Sequence, residues 1–170
     1  PKDQKKARQE MGIDEHRFVI LVIGGSLGAK RLNDLVISAA ADLVYKLPSV
    51  YIIHLSGHNL YKQVLAGYSG SLGIKASAHV KVIDYSNELE NLSSIADLVV
   101  SSAGATTLAE LALQGKAVIS VPIPHLTGGH QLKNSSILAS SGAVLVLLED
   151  GFPDALAKQI LSRTNADLAR

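Results

Sequence analysis

Three stretches combine glycine with small hydroxyl, amide or charged residues in a way that suits ligand chemistry. The first is "VIGGSLGAKRLN", residues 22–33. Gly24, Gly25 and Gly28 let the chain turn sharply with no Cβ in the way, and the helix that follows aims free N–H groups at the space this opens. Phosphate is the natural guest of such a place. Ser26 adds a hydroxyl donor, and Lys30 and Arg31 add positive charge nearby. The pattern is neither a P-loop nor a complete G-x-G-x-x-G, and a tight strand-to-helix turn accounts for the glycines equally well.

The second stretch, "SSAGATTLAEL" (101–111), repeats the design: Gly104 permits close approach, and Thr106, Thr107 and Glu110 are placed in a first helical turn. Two readings of Glu110 compete. Thr107 and Glu110 have the spacing of a capping box, in which the glutamate returns to the N-cap amide. A carboxylate here also suits the vicinal hydroxyls of a ribose. The third stretch, "VPIPHLTGGHQLKN" (121–134), stiffens a strand exit with Pro122 and Pro124 and loosens a turn with Gly128 and Gly129. It then offers His130, Gln131, Lys133 and Asn134 on an incoming helix. Amide side chains pair donors with acceptors, which suits hydroxyl-rich ligands such as sugars. A solvent-exposed start of a helix is the plainer reading of His130.

Other chemistries find little support. The 6 histidines have no ligand spacing and there is no cysteine, so neither a metal site, a thiolate site nor a disulfide framework is expected. No Ser/His/Asp set can be nominated from spacing. A net charge of +1 gives no basic excess for nucleic acid. No apolar run reaches the roughly 18 to 20 residues of a spanning helix, and no signal peptide opens the chain. These features predict a soluble domain and are compatible with a cytosolic setting. The opening "PKDQKKARQEMG" reads as a charged helix arriving from upstream, hence as part of a longer protein.

The elements that would hold these stretches alternate regularly. Residues 17–25, 50–57, 79–85, 96–104, 117–123 and 142–148 read as strands, and their continuous Val, Ile and Leu content predicts burial on both faces. Helices are expected near 29–46, 59–66, 87–95, 106–114, 129–141 and 153–162. Residues 66–79, "AGYSGSLGIKASAH", read as a Gly/Ser-rich surface loop. The prediction is one α/β domain over residues 1–170, doubly wound and Rossmann-like, with a mainly parallel sheet of about six strands. Ligands of such sheets sit beyond the carboxyl ends of the strands, where the three stretches fall.

In order and spacing, "GGSLGAKRLN", "SSAGATTLAELALQGKAVISVPIPH" and "TGGHQLKNSSILASSGAV" resemble the carboxyl-terminal domain of MurG-type glycosyltransferases (glycosyltransferase family 28). The resemblance implies one half of a GT-B enzyme, the half that holds the donor. The family transfers N-acetylglucosamine from UDP-N-acetylglucosamine to undecaprenyl-pyrophosphoryl-N-acetylmuramoyl-pentapeptide in peptidoglycan synthesis, peripherally on the cytoplasmic face of the plasma membrane. By similarity, Gly25 and Ser26 contact the nucleotide phosphates, and Ile83 meets the uracil through its main chain. Gly104, Ala105, Thr106 and Thr107 line the phosphate and ribose region, and Glu110 binds the ribose. His130, Gln131 and Asn134 meet the sugar.

The same resemblance implies no tightly bound cofactor, with Mg2+ at most assisting the full enzyme, and an amino-terminal partner domain that carries the general base and the acceptor cleft. The 170 residues alone are therefore expected to bind donor without transferring sugar. Leu27 stands where the family often has glutamine, and Gly128 and Gly129 where acidic residues are frequent. A GT-B transferase for another nucleotide sugar, a split dolichol-type subunit, and a nucleotide-sugar binding module without catalysis remain as alternatives.

Overall fold

The computed structural model describes residues 4–25, 29–102, 104–122, 133, 135–136, 139–140, 144–147 and 154–168, with side chains to 162. Six strands, β1 (Phe18–Ile23), β2 (Val50–Leu55), β3 (Val80–Ile83), β4 (Leu98–Ser101), β5 (Val118–Ser120) and β6 (Val144–Val146), form one sheet in the order β3-β2-β1-β4-β5-β6. Every pairing is parallel, as the alternation with helices requires. Connecting and flanking helices are α1 (Gln4–Glu10), α2 (Lys30–Lys46), α3 (Tyr61–Leu72), the single turn α4 (Ala76–His79), α5 (Leu89–Ile95), α6 (Ala105–Leu113) and α7 (Asp154–Leu168).

Both faces of the sheet are covered because both faces of its central strands are apolar. On β1, Ile20 and Val22 pack with Leu32 and Val36 of α2, Val64 of α3 and Leu156 of α7 in one cluster. The alternate residues Val19, Leu21 and Ile23 pack with Leu92 and Ile95 of α5 and Leu108 and Leu111 of α6 in the other. The expectation of two-sided burial fails at the two edge strands: Val80, Val82 and Ile83 of β3 and Leu145 and Val146 of β6 are half-buried, and Lys81 is exposed.

Residues 66–79 are helical, which corrects the loop reading. α3 runs on to Leu72, a 3-10 turn covers Gly73–Lys75, and α4 follows. Glycine serves close helix packing here: a Cβ on Gly67 would lie 2.9 Å from Cδ1 of Ile37 on α2. Tyr68 beside it is buried. The charged opening helix is α1 as expected, but its Arg8 is buried against α5 and the start of β4. The expected helix at 129–141 lies largely outside the described residues.

Candidate functional site

The chain leaves β1 and β4 in opposite directions across the sheet, β2 and β3 lying to one side and β5 and β6 to the other. Adjacent strands whose connections diverge leave a crevice at their carboxyl ends. A cleft of about 630 Å³ opens there, lined by Ile23 of β1 and Gly25 after it, Leu55 of β2, Asp84–Asn87 after β3, Leu89 and Glu90 of α5, Thr107, Glu110 and Leu113 of α6, and Gln114 at its end. α2 and α6 both begin at this edge. Their N-caps, Ala29 and Gly104, make no side-chain capping bond, and each first turn presents the positive end of its helix dipole at this edge.

The glycine turn after β1 is shaped by its packing. Gly25 adopts φ 84°, the left-handed region. A Cβ on Gly24 would lie 2.8 Å from the backbone nitrogen of Ala29 and 3.4 Å from Oδ1 of Asn33. Gly24→Ala is therefore expected to displace the first turn of α2, lowering stability by about 1–3 kcal/mol. An unchanged urea midpoint would contradict this.

The capping-box reading of Thr107 and Glu110 is overturned. α6 starts at Ala105 with Gly104 as its N-cap, so Thr107 sits inside the first turn and Glu110 in the second rather than the first. Three residues apart on one helix, both line the cleft. The spacing that suits a cap also places two side chains on a common face. Among the described residues, no hydrogen bond or ion pair engages the Glu110 carboxylate. Gly104, Ala105 and Thr106 are exposed at the start of α6.

Ile83 ends β3, and its carbonyl accepts from Ser56 N and Ser56 Oγ at 2.9 and 3.2 Å. The residues that reach the cleft are the next ones. Asp84 accepts from the Tyr85 amide at 2.8 Å and lies 3.2 Å from His58 Nδ1. The Tyr85 amide, then His58, holds the Asp84 carboxyl below its usual range. The Tyr85 ring packs on His58 with centroids 5.1 Å apart. Sequence reasoning passed over this loop, although the "DYSN" that follows β3 is the turn chemistry expected beyond a strand.

Lys30 pairs with Asp34 on its own helix, so its charge is partly spoken for. Ser26, His130, Gln131 and Asn134, with Leu27, Gly128 and Gly129, lie outside the described residues. Among the described residues no three His, Cys, Asp or Glu side chains gather as a metal-ligand set, and no helix is long and apolar enough to cross a membrane.

The family model described as the glycosyltransferase family 28 C-terminal domain matches residues 19–169. A Myxococcus xanthus protein named UDP-N-acetylglucosamine--N-acetylmuramyl-(pentapeptide) pyrophosphoryl-undecaprenol N-acetylglucosamine transferase is 38% identical over 137 residues, 81% of this chain and 34% of that protein. A Caldicellulosiruptor saccharolyticus protein of the same name is 30% identical over 167 residues, 98% of this chain and 44% of that protein. The crystal structure of Acinetobacter baumannii MurG aligns with TM-score 0.73 at 28% identity, covering 96% of this chain and 45% of that one. The chain thus spans less than half the length of these relatives. A parallel six-stranded sheet, a cleft at its point of divergence and a match over nearly the whole length agree: the chain belongs to glycosyltransferase family 28, as its C-terminal domain.

Proposed function

We propose that this domain binds UDP-N-acetylglucosamine in the cleft beyond β1 and β4 and presents it to a lipid-linked acceptor held by a separate amino-terminal domain, in the sugar transfer of peptidoglycan synthesis. The observation that carries the reading is the Glu110 carboxylate, unengaged among the described residues, lining a cleft beside two helix N-termini whose N-cap residues make no side-chain capping bond. In this reading the diphosphate lies at the starts of α2 and α6, Glu110 accepts from the ribose hydroxyls, and the base extends toward Leu55 and the loop after β3. Ser26, His130, Gln131 and Asn134 complete the phosphate and sugar contacts.

The chemistry assigned to these residues is leaving-group stabilisation. As the acceptor hydroxyl attacks the anomeric carbon and the bond to UDP breaks with inversion, negative charge grows on the departing diphosphate. N–H groups aimed there beforehand stabilise that charge without reorganising. The acceptor's proton goes to a group of the other domain. Mg2+, where it assists, would ride on the diphosphate, since the described residues gather no ligand set for it. The complete enzyme would work peripherally at the cytoplasmic face of the membrane, where its lipid-linked acceptor is found.

Calorimetric titration of the 170-residue chain tests the reading. UDP and UDP-N-acetylglucosamine are expected to bind, and Glu110→Gln to weaken both by ~1.5–3 kcal/mol, the scale of a hydrogen bond to a charged group. The melting curve should stay where it was, because Glu110 caps nothing. Tighter binding of an adenine or cytidine nucleotide, or a Glu110→Gln protein that binds UDP normally, would overturn it.

A further inference from the structure

The donor reading uses the loops above the sheet and leaves unexplained a line of polar side chains buried beneath them. His54 of β2 is 0% exposed, and Tyr68 of α3 and Asn33 of α2 are 1% exposed each. Tyr68 Oη lies 2.7 Å from His54 Nδ1, and His54 Nε2 lies 2.9 Å from Asn33 Oδ1. Asn33 Nδ2 donates to the Ser56 carbonyl at 3.0 Å. Ser56 N and Oγ in turn donate to the Ile83 carbonyl.

The directions follow from the partners. A carbonyl can only accept, so the Asn33 nitrogen faces Ser56 and its oxygen faces His54; Nε2 of the imidazole therefore carries the hydrogen. Nδ1 is left to accept from the tyrosine hydroxyl. One tautomer of a neutral histidine satisfies every link, and burial, which pulls its pKa down to about 3, keeps it neutral.

The line runs from an outer helix to three loops of the cleft. Asn33 stands in the first turn of α2, its N–H donating to the Ala29 carbonyl, and a Cβ on Gly24 would come within 3.4 Å of its Oδ1. Gly24, which opens the turn, thus lies beside the Asn33 amide. Ser56 directly follows Leu55, and Ile83 directly precedes Asp84, and both Leu55 and Asp84 line the cleft. The surroundings are otherwise Val, Ile, Leu and Ala. Stability alone does not call for polar groups there, since apolar replacements of buried polar clusters are often neutral or better. A fully satisfied network does fix one relative placement of the elements it joins.

We propose that Asn33, oriented by His54 and Tyr68, is a positioning residue of the donor site, holding the glycine turn after β1 in register with the loops after β2 and β3. This rests on the donor reading of the cleft. Nucleotide affinity then depends on hydrogen bonds that touch no ligand.

Tyr68→Phe tests it gently, removing one hydroxyl and keeping the ring. With UDP as the probe, at 15 °C and well below unfolding, the variant is expected to bind about threefold to tenfold more weakly, the scale of one net hydrogen bond. A merely structural tyrosine would lower the melting temperature and leave the dissociation constant alone, and that result overturns the proposal. Should the variant not fold, nitrogen-resolved NMR of the wild-type chain decides. The Nε2–H tautomer of His54 and a shift of the Asn33 side-chain amide on UDP saturation are expected; the Nδ1–H tautomer or an unmoved amide overturns it. Wild type that binds no UDP removes the donor reading and this proposal together. Wild type and Tyr68→Phe binding UDP equally well removes this proposal alone.

Discussion

Asp97→Ala is expected to lower the unfolding free energy by about 3 kcal/mol, and by as much as about 5 kcal/mol, through the charge it strands. Arg8 is buried, and its guanidinium donates through Nε and Nη2 to the Ile95 carbonyl at 3.0 and 2.8 Å. Nη1 donates to the Arg17 and Glu15 carbonyls at 3.2 and 3.4 Å. All these partners are neutral; the countercharge is Asp97, 2.7 Å from Nη2. The same carboxylate oxygen accepts the Val19 amide at the start of β1, also at 2.7 Å.

Lys116 makes the loss worse. Its ammonium donates to the Ser94 and Ala96 carbonyls, both at 3.0 Å, and burial lowers its pKa while Asp97 opposes that change. Without Asp97, two cations face only carbonyls. The carboxylate itself is 28% exposed, which puts the expectation at the lower end of the range. Arg8→Met should cost less, about 1–2 kcal/mol, because Asp97 would keep the Val19 amide and some water. Arg8→Met combined with Asp97→Ala should then be less harmful than Asp97→Ala alone. Urea unfolding of the three variants checks this, and an Asp97→Ala loss below about 1 kcal/mol would contradict the buried-charge argument.

Arg8 also marks a limit on what the sequence discloses. "QKKARQE" has the composition of a solvated helix, and nothing in it separates the buried cation from its exposed neighbours. The separation depends on Asp97, 89 positions away. The six strands were legible because a parallel sheet covered on both faces needs uninterrupted apolar runs, and each run stands out locally. The glycine turn after β1 and the helix start after β4 were legible for a similar reason: both are punctuated by the residues that local backbone geometry demands.

Where one pattern serves two structures, the sequence does not choose. Thr107 and Glu110 satisfy both a capping box and a shared helix face, and the choice turned on α6 beginning two residues before Thr107. Gly67, Gly70 and Gly73 look like loop punctuation, yet Gly67 sits inside a helix because Ile37 leaves no room for a side chain. His54 lies in "VYIIHLSG" as one polar letter in a strand. Its partners come from α2 and α3, and only the fold brings them together.

His54 should also leave a signature in acid. Its folded pKa of about 3, lowered from 6.5 by burial, means the native state stays neutral at pH values where the unfolded chain takes up a proton. Above pH 6.5 neither state is charged here and the full stability is present. As pH falls through 6.5 toward 3, the unfolded state binds a proton that the folded state refuses, and stability declines by up to ~1.4 kcal/mol per pH unit. From pH 7 to pH 5, before most carboxylates titrate, His54 alone should remove about 2 kcal/mol. The groups meeting its ring nitrogens, Tyr68 and Asn33, bear no charge that could relieve this. Burial raises the Tyr68 hydroxyl pKa far above neutrality. His54→Gln removes the titration while keeping an amide that can donate toward Asn33. The variant is expected to start from a lower stability at pH 7, because the Tyr68 link is disturbed, and then to lose less on acidification. Urea midpoints at half-unit steps from pH 7 to pH 5 give the two slopes, and contributions from the other histidines cancel in the difference. Parallel curves would mean that His54 takes up its proton within the fold, so that the line from Tyr68 to Asn33 does not hold it neutral.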